Sequence, residues 1–218
     1  MRRARRPRPT LVLERRLAAG GALPVAGLDE VGRGALAGPL VAAAVALPLG
    51  RRGLRRALSG VRDSKQMGES QRQLWAERVR RMALASGIGV ATPEEVDDQG
   101  PLVATYLAME RALAALGLTP CHLLIDHVRL AEVAIPQTSV THGDALVLSI
   151  AAASIMAKVW RDDLMRNLSE TYPLYGFAHH KGYGTPEHLA ALQQYGPSLI
   201  HRRSFHPVNL WAEAGAAA

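Results

Sequence analysis

Two adjacent acidic residues stand at the end of an apolar run near the start of this chain. Residues 23–26 read Leu-Pro-Val-Ala, which is typical of a short buried strand, and Asp29 and Glu30 follow where a core strand would stay apolar. A carboxylate at the mouth of a buried strand needs a partner, because an unpaired buried charge is costly. A divalent metal ion is one such partner, and a salt bridge in a turn is the ordinary alternative.

A glycine–arginine–glycine run, Gly32-Arg33-Gly34, comes almost directly after the acid pair. Glycine lets a backbone approach a ligand closely, and arginine suits a phosphate or a sugar. The acid pair followed by this run indicates metal-dependent chemistry on a phosphodiester.

The positive charge of the chain is concentrated at its start. The formal net charge is +7 and the sequence pI is about 10.2, which favours a polyanionic partner, most simply nucleic acid. Seven arginines and one acid, Glu14, lie in residues 1–16, so the remaining chain needs local basic patches to hold a polyanion. We predict a disordered basic tail over residues 1–16 and a single catalytic domain over residues 17–218.

The single cysteine, Cys121, excludes an internal disulfide framework and a cysteine metal cluster, and we place it in the core. It fits a reducing compartment, and no apolar stretch has the length of a membrane span. We therefore expect a cytoplasmic, monomeric protein that does not contact membranes. A transit peptide at the arginine-rich start is the minor alternative, because Pro7 and Pro9 break any amphipathic helix.

Hydrophobic periodicity predicts an α/β chain with a mixed central sheet flanked by helices and a C-terminal helical and loop segment at about 170–210. Predicted strands cover residues 23–29, 38–48, 88–92, 122–126 and 134–135. Predicted helices cover residues 11–19, 69–85, 102–116, 144–168 and 187–195, with an arginine-rich loop or short helix at 50–62.

Two further acids lie in contexts like that of the first pair. Asp126 closes the apolar strand at 122–126, and Asp144 opens the long helix at 144–168. Alone, each has an ordinary reading, as a turn residue or a helix N-cap. A central sheet can bring strand ends together, where four carboxylates would repel one another without cations between them. Oxygen ligands suit Mg²⁺ or Mn²⁺, and two such ions roughly 3.5–4 Å apart support phosphodiester cleavage.

From about Val25 to Val208 the chain resembles the bacterial ribonuclease HII family, the type 2 ribonucleases H. The resemblance rests on separate motifs in a fixed order. These are residues 27–34 with 37–39, Asp63-Ser64-Lys65, Gly143-Asp144-Ala145 with 150–158 and Arg161-Asp162, residues 180–185, and residues 201–205.

The resemblance implies a ribonuclease H-like fold and four metal-binding catalytic carboxylates, Asp29, Glu30, Asp126 and Asp144. It implies hydrolysis of RNA in RNA–DNA hybrids and incision at single ribonucleotides embedded in duplex DNA, leaving 3′-hydroxyl and 5′-phosphate ends, as in ribonucleotide excision repair. The glycine–arginine–glycine loop would approach the ribose 2′-hydroxyl, the mark that separates RNA from DNA. Tyr183 would stack on the sugar that follows the ribonucleotide.

Further residues are expected to face the nucleic acid. The full set of predicted substrate contacts is Gly32, Arg33, Gly34, Ser64, Lys65, Lys158, Arg161, His180, Lys181 and Tyr183, with Arg166 on the same helix as Lys158. A row of charged residues along one side of a helix more commonly marks a solvent-exposed face than a nucleic-acid-binding one.

The chain departs from the family pattern at two histidines. His127 follows the third acid, where the family usually has a small residue, and His142 stands where it usually has lysine. Either these are tolerated replacements, or a histidine titrating near neutrality shifts the pH optimum. The other histidines lack the spacing of a zinc module, and we expect them to be phosphate contacts or core residues. They are His179, His180, His188, His201 and His206.

Two alternative functions stay open from the sequence. The first is another metal-dependent nuclease of the same fold, such as a junction resolvase. The second is a non-catalytic module that binds hybrids, which the presence of all four acids disfavours. No sliding-clamp-binding peptide is evident in residues 209–218.

Overall fold

The computed structural model of the chain describes residues 8–214. A five-stranded mixed sheet in the order β3-β2-β1-β4-β5 forms its centre. The strands are β1 (Val25–Val31), β2 (Leu40–Ala46), β3 (Ala85–Ala91), β4 (His122–Asp126) and β5 (Gln137–Val140). Strand β1 pairs antiparallel with β2 and parallel with β4, which confirms the predicted mixed sheet and the hairpin.

Helices cover both faces of this sheet. They are α1 (Val12–Ala19), α2 (Leu54–Ala57), α3 (Glu69–Met82), α4 (Pro93–Ala114), α5 (Gly143–Leu146), α6 (Leu148–Thr171), α7 (Phe177–His180), α8 (Pro186–Tyr195) and α9 (Val208–Ala214). Helices α6 and α3 enclose one core with β2, and α4 encloses the other. Helix α6 packs closely on β1, because a Cβ added at Gly27 would lie 2.3 Å from the backbone carbon of Ser149. In the part of the chain described, no helix is long and apolar enough to cross a membrane.

The N-terminal segment is packed against the domain from Thr10 onward. Thr10 forms a parallel bridge with Val147, and Leu11 is buried. The buried carboxylate of Glu14 accepts a hydrogen bond from the backbone N–H of Ser149 at 2.8 Å. The prediction of a disordered tail over residues 1–16 is therefore wrong for residues 10–16, because an apolar and an acidic side chain anchor them; residues 1–7 lie outside the described part.

The predicted long helix over residues 144–168 is interrupted at Val147, which has extended backbone angles (φ −116°, ψ 123°). The reason is the bridge from Thr10: the N–H of Leu148 donates to the carbonyl of Thr10, and that of Thr10 to Leu146. Asp144 consequently lies on the separate short helix α5 rather than at the start of α6.

Two smaller predictions are also wrong. Residues 134–135 are not a strand, and β5 begins at Gln137, whose side chain bonds the backbone of Leu130. Cys121 is exposed rather than in the core, because it precedes β4 at the outer end of the sheet, where its thiol meets the carbonyl of Leu23.

The C-terminal segment from Pro173 to α9 packs over the loop that joins β1 to β2. A third core unites Leu36 and Ala37 of this loop with Met165 of α6 and Phe177 of α7. The carbonyl of Gly182 accepts hydrogen bonds from the N–H groups of Leu36 (2.8 Å) and Ala37 (3.2 Å). The motif at residues 180–185 is thereby placed beside the glycine–arginine–glycine loop.

Candidate active site

Four carboxylates meet where β1 and β4 end. Leu28 and Ile125 are partners in the parallel pairing, so the next residues, Asp29 and Asp126, lie side by side. The N–H of Gly143 donates to Oδ1 of Asp126 at 2.7 Å, which fixes α5 and its Asp144 at the same edge. Glu30 follows Asp29 on the central strand. The structure thus brings together the four acids that the sequence singled out.

The electrostatics of this cluster are unfavourable without added positive charge. Burial, followed by repulsion from Glu30 and then from Asp126 and Asp144, raises the pKa of Asp29 well above its usual range. Burial and repulsion by Asp126 raise the pKa of Glu30, and burial also raises that of Asp126. Lys65 places its Nζ 3.6 Å from Oδ2 of Asp144. Two exposed basic side chains near the cluster, Lys65 and Arg33, still leave an acidic excess that divalent cations would relieve.

The donor chemistry of the cluster fits a hard divalent ion, since all the ligands are carboxylate oxygens. Within residues 8–214, no three histidine, cysteine or acidic side chains already surround a common point. The carboxylates therefore stand close enough to repel yet are not drawn around one centre.

The two glycines beside Arg33 have different physical requirements. Gly32 has φ +87°, and a Cβ there would lie 2.3 Å from Nε of Arg161, so only glycine fits. Gly34 is exposed, and a Cβ there would meet nothing within 4 Å. Arg33 is also exposed. Gly32 is thus required by the fold, whereas Gly34 and Arg33 are available to a ligand.

Arg161 has a structural role that differs from its predicted one. It is fully buried, and its guanidinium donates to the carbonyls of Pro39 (2.9 Å), Lys181 (2.8 Å) and Ala37 (3.0 Å). The prediction that Arg161 faces the duplex backbone is wrong, because the side chain is fully buried and each of its three nitrogens donates to a carbonyl inside the protein. It ties α6 to the β1–β2 loop and to the loop at residues 180–185.

A second buried arginine, Arg202, also binds backbone carbonyls of the β1–β2 loop. The sequence marks it only as part of the motif at residues 201–205. It donates to the carbonyls of Gly38 and Arg33 at 2.9–3.0 Å. Burial and repulsion by Arg161 lower the pKa of Arg202 to about 9. Arg202 thus fixes the backbone carbonyl of Arg33, while the side chain of Arg33 remains exposed to solvent.

Tyr183 is half-buried between two basic side chains. The guanidinium of Arg161 lies 5.5 Å from the centre of its ring, and the Nζ of Lys158 lies 5.9 Å from it. Lys158 also forms an ion pair with Asp162 at 2.7 Å. These contacts hold the ring of Tyr183 against two basic residues of α6.

The remaining predicted contacts differ in their exposure. Lys65 is exposed, while the hydroxyl of Ser64 is buried against that of Ser154 at 3.0 Å. His180 is buried, with Nε2 bonded to the carbonyl of Tyr175 at 2.6 Å, and Lys181 turns its Nζ to the carbonyl of Ala178. His180 and Lys181 therefore hold the loop, and their predicted contact with a duplex is not supported by this placement.

Comparison with known proteins gives the family. The sequence profile described as Ribonuclease HII matches residues 26–208. The chain belongs to the ribonuclease HII family. A Ribonuclease HII from Synechococcus sp. (strain JA-3-3Ab) is 54% identical over 200 residues, which cover 92% of this chain and 89% of that relative.

Solved structures with the same fold support the assignment. The ribonuclease H2 from Pyrococcus horikoshii OT3 superposes with a TM-score of 0.74 at 26% identity, covering 90% of this chain and 100% of that one. Bst-RNase HIII, determined in complex with Mn²⁺, gives a TM-score of 0.67 at 18% identity, covering 90% of this chain and 71% of that one. The predicted ribonuclease H-like fold is confirmed, and as a ribonuclease HII the chain is a phosphodiester hydrolase.

In this ribonuclease HII, two buried histidines, His201 and His188, form a hydrogen-bonded chain that ends at the carbonyl of Tyr183, and a third, His180, stacks on it. Nδ1 of His201 accepts the N–H of Ser198 at 2.9 Å, so its Nε2 carries the proton and faces Nε2 of His188 at 3.0 Å. His188 then donates through Nδ1 to the carbonyl of Tyr183 at 3.0 Å. His180 stacks on His188, with 4.4 Å between ring centres. The ring nitrogens of His188 and His201 are occupied by these bonds, so these two histidines are core residues and not phosphate contacts.

The histidine chain predicts that stability falls on acidification. Burial lowers the pKa of His201 to about 3 and that of His188 to about 4. Below about pH 6.5 the unfolded chain takes up protons that the folded chain refuses, so this contribution is present above pH 6.5 and is lost as the pH falls. From pH 7 to pH 5 we expect His201 alone to lower the free energy of unfolding by about 2 kcal/mol.

Urea denaturation at each pH would measure this effect against the variant His201→Asn. The amide oxygen of asparagine can still accept the N–H of Ser198, and the side chain does not titrate. It is too short to reach His188, so the two proteins are compared by the slope of their stability with pH and not by its absolute value. The subtraction cancels the opposite contribution of the active-site carboxylates, whose raised pKa values favour the folded state in acid. If the free energy of unfolding fell equally with pH in both proteins, the loss of stability in acid would not come from His201.

The two unusual histidines lie beside the carboxylates with left-handed backbones. His127 has φ 61° and His142 has φ 57°, and both side chains are exposed. A left-handed residue after Asp126 suits the small residue usual in the family, since glycine adopts this conformation without strain. Whether either histidine shifts the pH optimum stays a prediction, and a pH–rate profile left unchanged by His142→Lys would contradict it.

Proposed function

We propose that this chain hydrolyses the RNA strand of RNA–DNA hybrids and incises duplex DNA at single embedded ribonucleotides, leaving 3′-hydroxyl and 5′-phosphate ends. The observation that carries the proposal is the position of the four repelling carboxylates beside the exposed Arg33-Gly34 segment. Charges able to bind cations thus lie within a few residues of a backbone that a sugar can approach.

Four acids are proposed to hold two Mg²⁺ or Mn²⁺ ions. Asp29 and Asp126, side by side on neighbouring strands, would anchor the ions. Glu30 and Asp144 would supply the remaining protein ligands. When bound, such ions activate a water molecule and stabilise the leaving oxygen of the phosphodiester. Lys65 is exposed beside Asp144 and can meet a phosphate oxygen as a point charge.

Recognition of ribose is proposed to come from Gly34, Arg33 and Tyr183. The open space around Gly34 lets its backbone reach a 2′-hydroxyl, a group that both donates and accepts hydrogen bonds. The ring of Tyr183, held by Arg161, would lie against the neighbouring sugar. Cleavage would then require ribose at one position of the duplex.

The direct test is cleavage of three matched duplexes: all-DNA, DNA with one ribonucleotide, and an RNA–DNA hybrid, with Mg²⁺ and Mn²⁺ in parallel. We expect cleavage of the last two and none of the first. Cleavage that ignored the 2′-hydroxyl would favour a resolvase-like nuclease. Binding with no cleavage in either metal, unchanged by a chelator, would favour the non-catalytic module. Cytoplasmic location, a monomeric state and the lack of a clamp contact stay predictions.

A glycine pair provides a sharper test of ribose recognition. We expect Gly34→Ala to lower kcat/KM on a single-ribonucleotide duplex by about 10- to 100-fold with little loss of stability, because its Cβ meets only solvent in the free protein. Gly32→Ala is the contrasting variant, since its Cβ would collide with Arg161, and it should lower the melting temperature markedly. Wild-type kinetics for Gly34→Ala would contradict a close approach of the sugar at this residue.

A further inference from the structure

A cleft lined by arginines lies where the N-terminal segment meets the start of α6. Its volume is about 440 Å³. Three basic side chains line it, Arg8, Arg55 and Arg56, above an apolar floor of Leu58, Val61 and Leu148. None of the residues assigned above to metal binding or ribose recognition takes part in it.

The charge of this cleft is not balanced by the protein. Among residues 8–214, Arg8, Arg55 and Arg56 take part in no ion pair. Residues 48–62 contain five arginines and no acid. The nearest acid of the N-terminal segment, Glu14, is buried and bonded to the backbone of Ser149. Several cationic groups around one concavity form a site for an anion, most simply a phosphate.

Chain connectivity places the cleft close to the reaction centre. Leu148 is four residues after Asp144, and Val61 is four residues before Lys65. Four residues span at most about 14 Å, which is roughly four base-pair steps of a duplex strand. Arg8 is held there because Thr10 bridges to Val147, immediately before Leu148. A duplex seated on the carboxylates would therefore bring a strand within reach of these arginines.

We propose that this arginine cleft binds a backbone phosphate of the duplex strand a few nucleotides from the cut. The inference rests on the proposed function, because it takes the duplex as the ligand. It gives a role to the arginine-rich segment at 50–62 and to the anchored N-terminal segment. The contact positions the duplex and carries no sequence information.

The test compares Arg55→Ala/Arg56→Ala with Arg51→Ala/Arg52→Ala, which removes the same charge from the same exposed segment without altering the lining of the cleft. Binding is measured on a hybrid duplex against salt concentration, with calcium in place of the catalytic ions. We expect the cleft variant to bind about tenfold more weakly, with the slope of log K against log salt reduced by about 1. We expect the control variant to leave the slope within about 0.3 of wild type.

A second arm replaces single phosphates on each strand with uncharged methylphosphonates. At one position near the cut, neutralisation should weaken binding by the wild-type protein about tenfold and leave binding by the cleft variant unaltered. Melting curves check that both variants are folded. Equal losses for both proteins at every position, or an unchanged salt slope, would overturn the cleft as a phosphate site. If the wild-type protein cleaves none of the ribonucleotide-containing duplexes, it is the proposed function that fails.

Discussion

Replacing Asp29 with asparagine should abolish cleavage and at the same time make the metal-free protein more stable. Asp29 is 6% exposed, and its pKa is raised by burial and by the repulsion of three neighbouring carboxylates. A raised pKa in the folded state means that the ionised form is held there at a free-energy cost. Asparagine can keep the hydrogen bond from the N–H of Glu30 without the charge.

We expect the free energy of unfolding without metal to rise by about 1–3 kcal/mol, and cleavage to fall by about 10³-fold or more. Urea denaturation with a chelator and a single-turnover assay would measure the two effects. Added Mg²⁺ or Mn²⁺ should raise the melting temperature of the wild type more than that of the variant. Such opposition between stability and activity is typical of sites that hold like charges together.

The exposed Asp98 of α4 provides the matched control. Asp98→Asn removes the same charge outside the carboxylate cluster, and it should change neither the free energy of unfolding nor the rate of cleavage. If Asp29→Asn cleaves at the wild-type rate, the assignment of this carboxylate to the catalytic metal site is wrong. If it destabilises the metal-free protein, the repulsion that we infer is outweighed by its hydrogen bonds.

Replacing Arg161 with methionine should be among the most destabilising changes in the domain. Methionine fills most of the volume but leaves the carbonyls of Ala37, Pro39 and Lys181 without donors. Each unsatisfied buried carbonyl costs about 1–3 kcal/mol, and partial relaxation or water entry reduces the sum. We expect the free energy of unfolding to fall by about 3–5 kcal/mol, measured by urea denaturation.

Arg166 lies on the same helix and serves for comparison. It forms ion pairs with Glu69 and Asp163 at the surface, so Arg166→Ala should lower the free energy of unfolding by less than about 1 kcal/mol. Similar small losses for the two arginines would mean that Arg161 does not hold the loops together. A large loss confined to Arg161 would support its structural role.

The strands and the four carboxylates could be predicted because their signals are local. An apolar run that ends in an acid marks both β1 and β4, and the observed bounds differ from the predicted ones by at most a few residues. The break at Val147 could not be predicted, because its cause is a bridge to Thr10 far away in the chain. For the same reason the sequence does not show that the N-terminal segment is anchored from Thr10 onward, since helical spacing in residues 11–19 does not reveal what the helix packs against.

The structural role of Arg161 could not be predicted from the sequence either. In the sequence it stands on a helix with Lys158 and Arg166, and the three look alike. Only the folded backbone shows that three carbonyls from two distant loops converge on one of them. A buried arginine that organises loops and an exposed one that meets phosphate carry the same local pattern.

The hydrogen bonds of Arg161 join the loop that carries Gly34 to the loop that carries Tyr183. The distance between the two loops is therefore fixed by the protein before any nucleic acid binds. We expect selection among sugars to depend on whether the strand fits this preset width, and to require little closing movement of the protein. Inserting a residue into either loop would change the width, and with it the sugar geometry that is accepted.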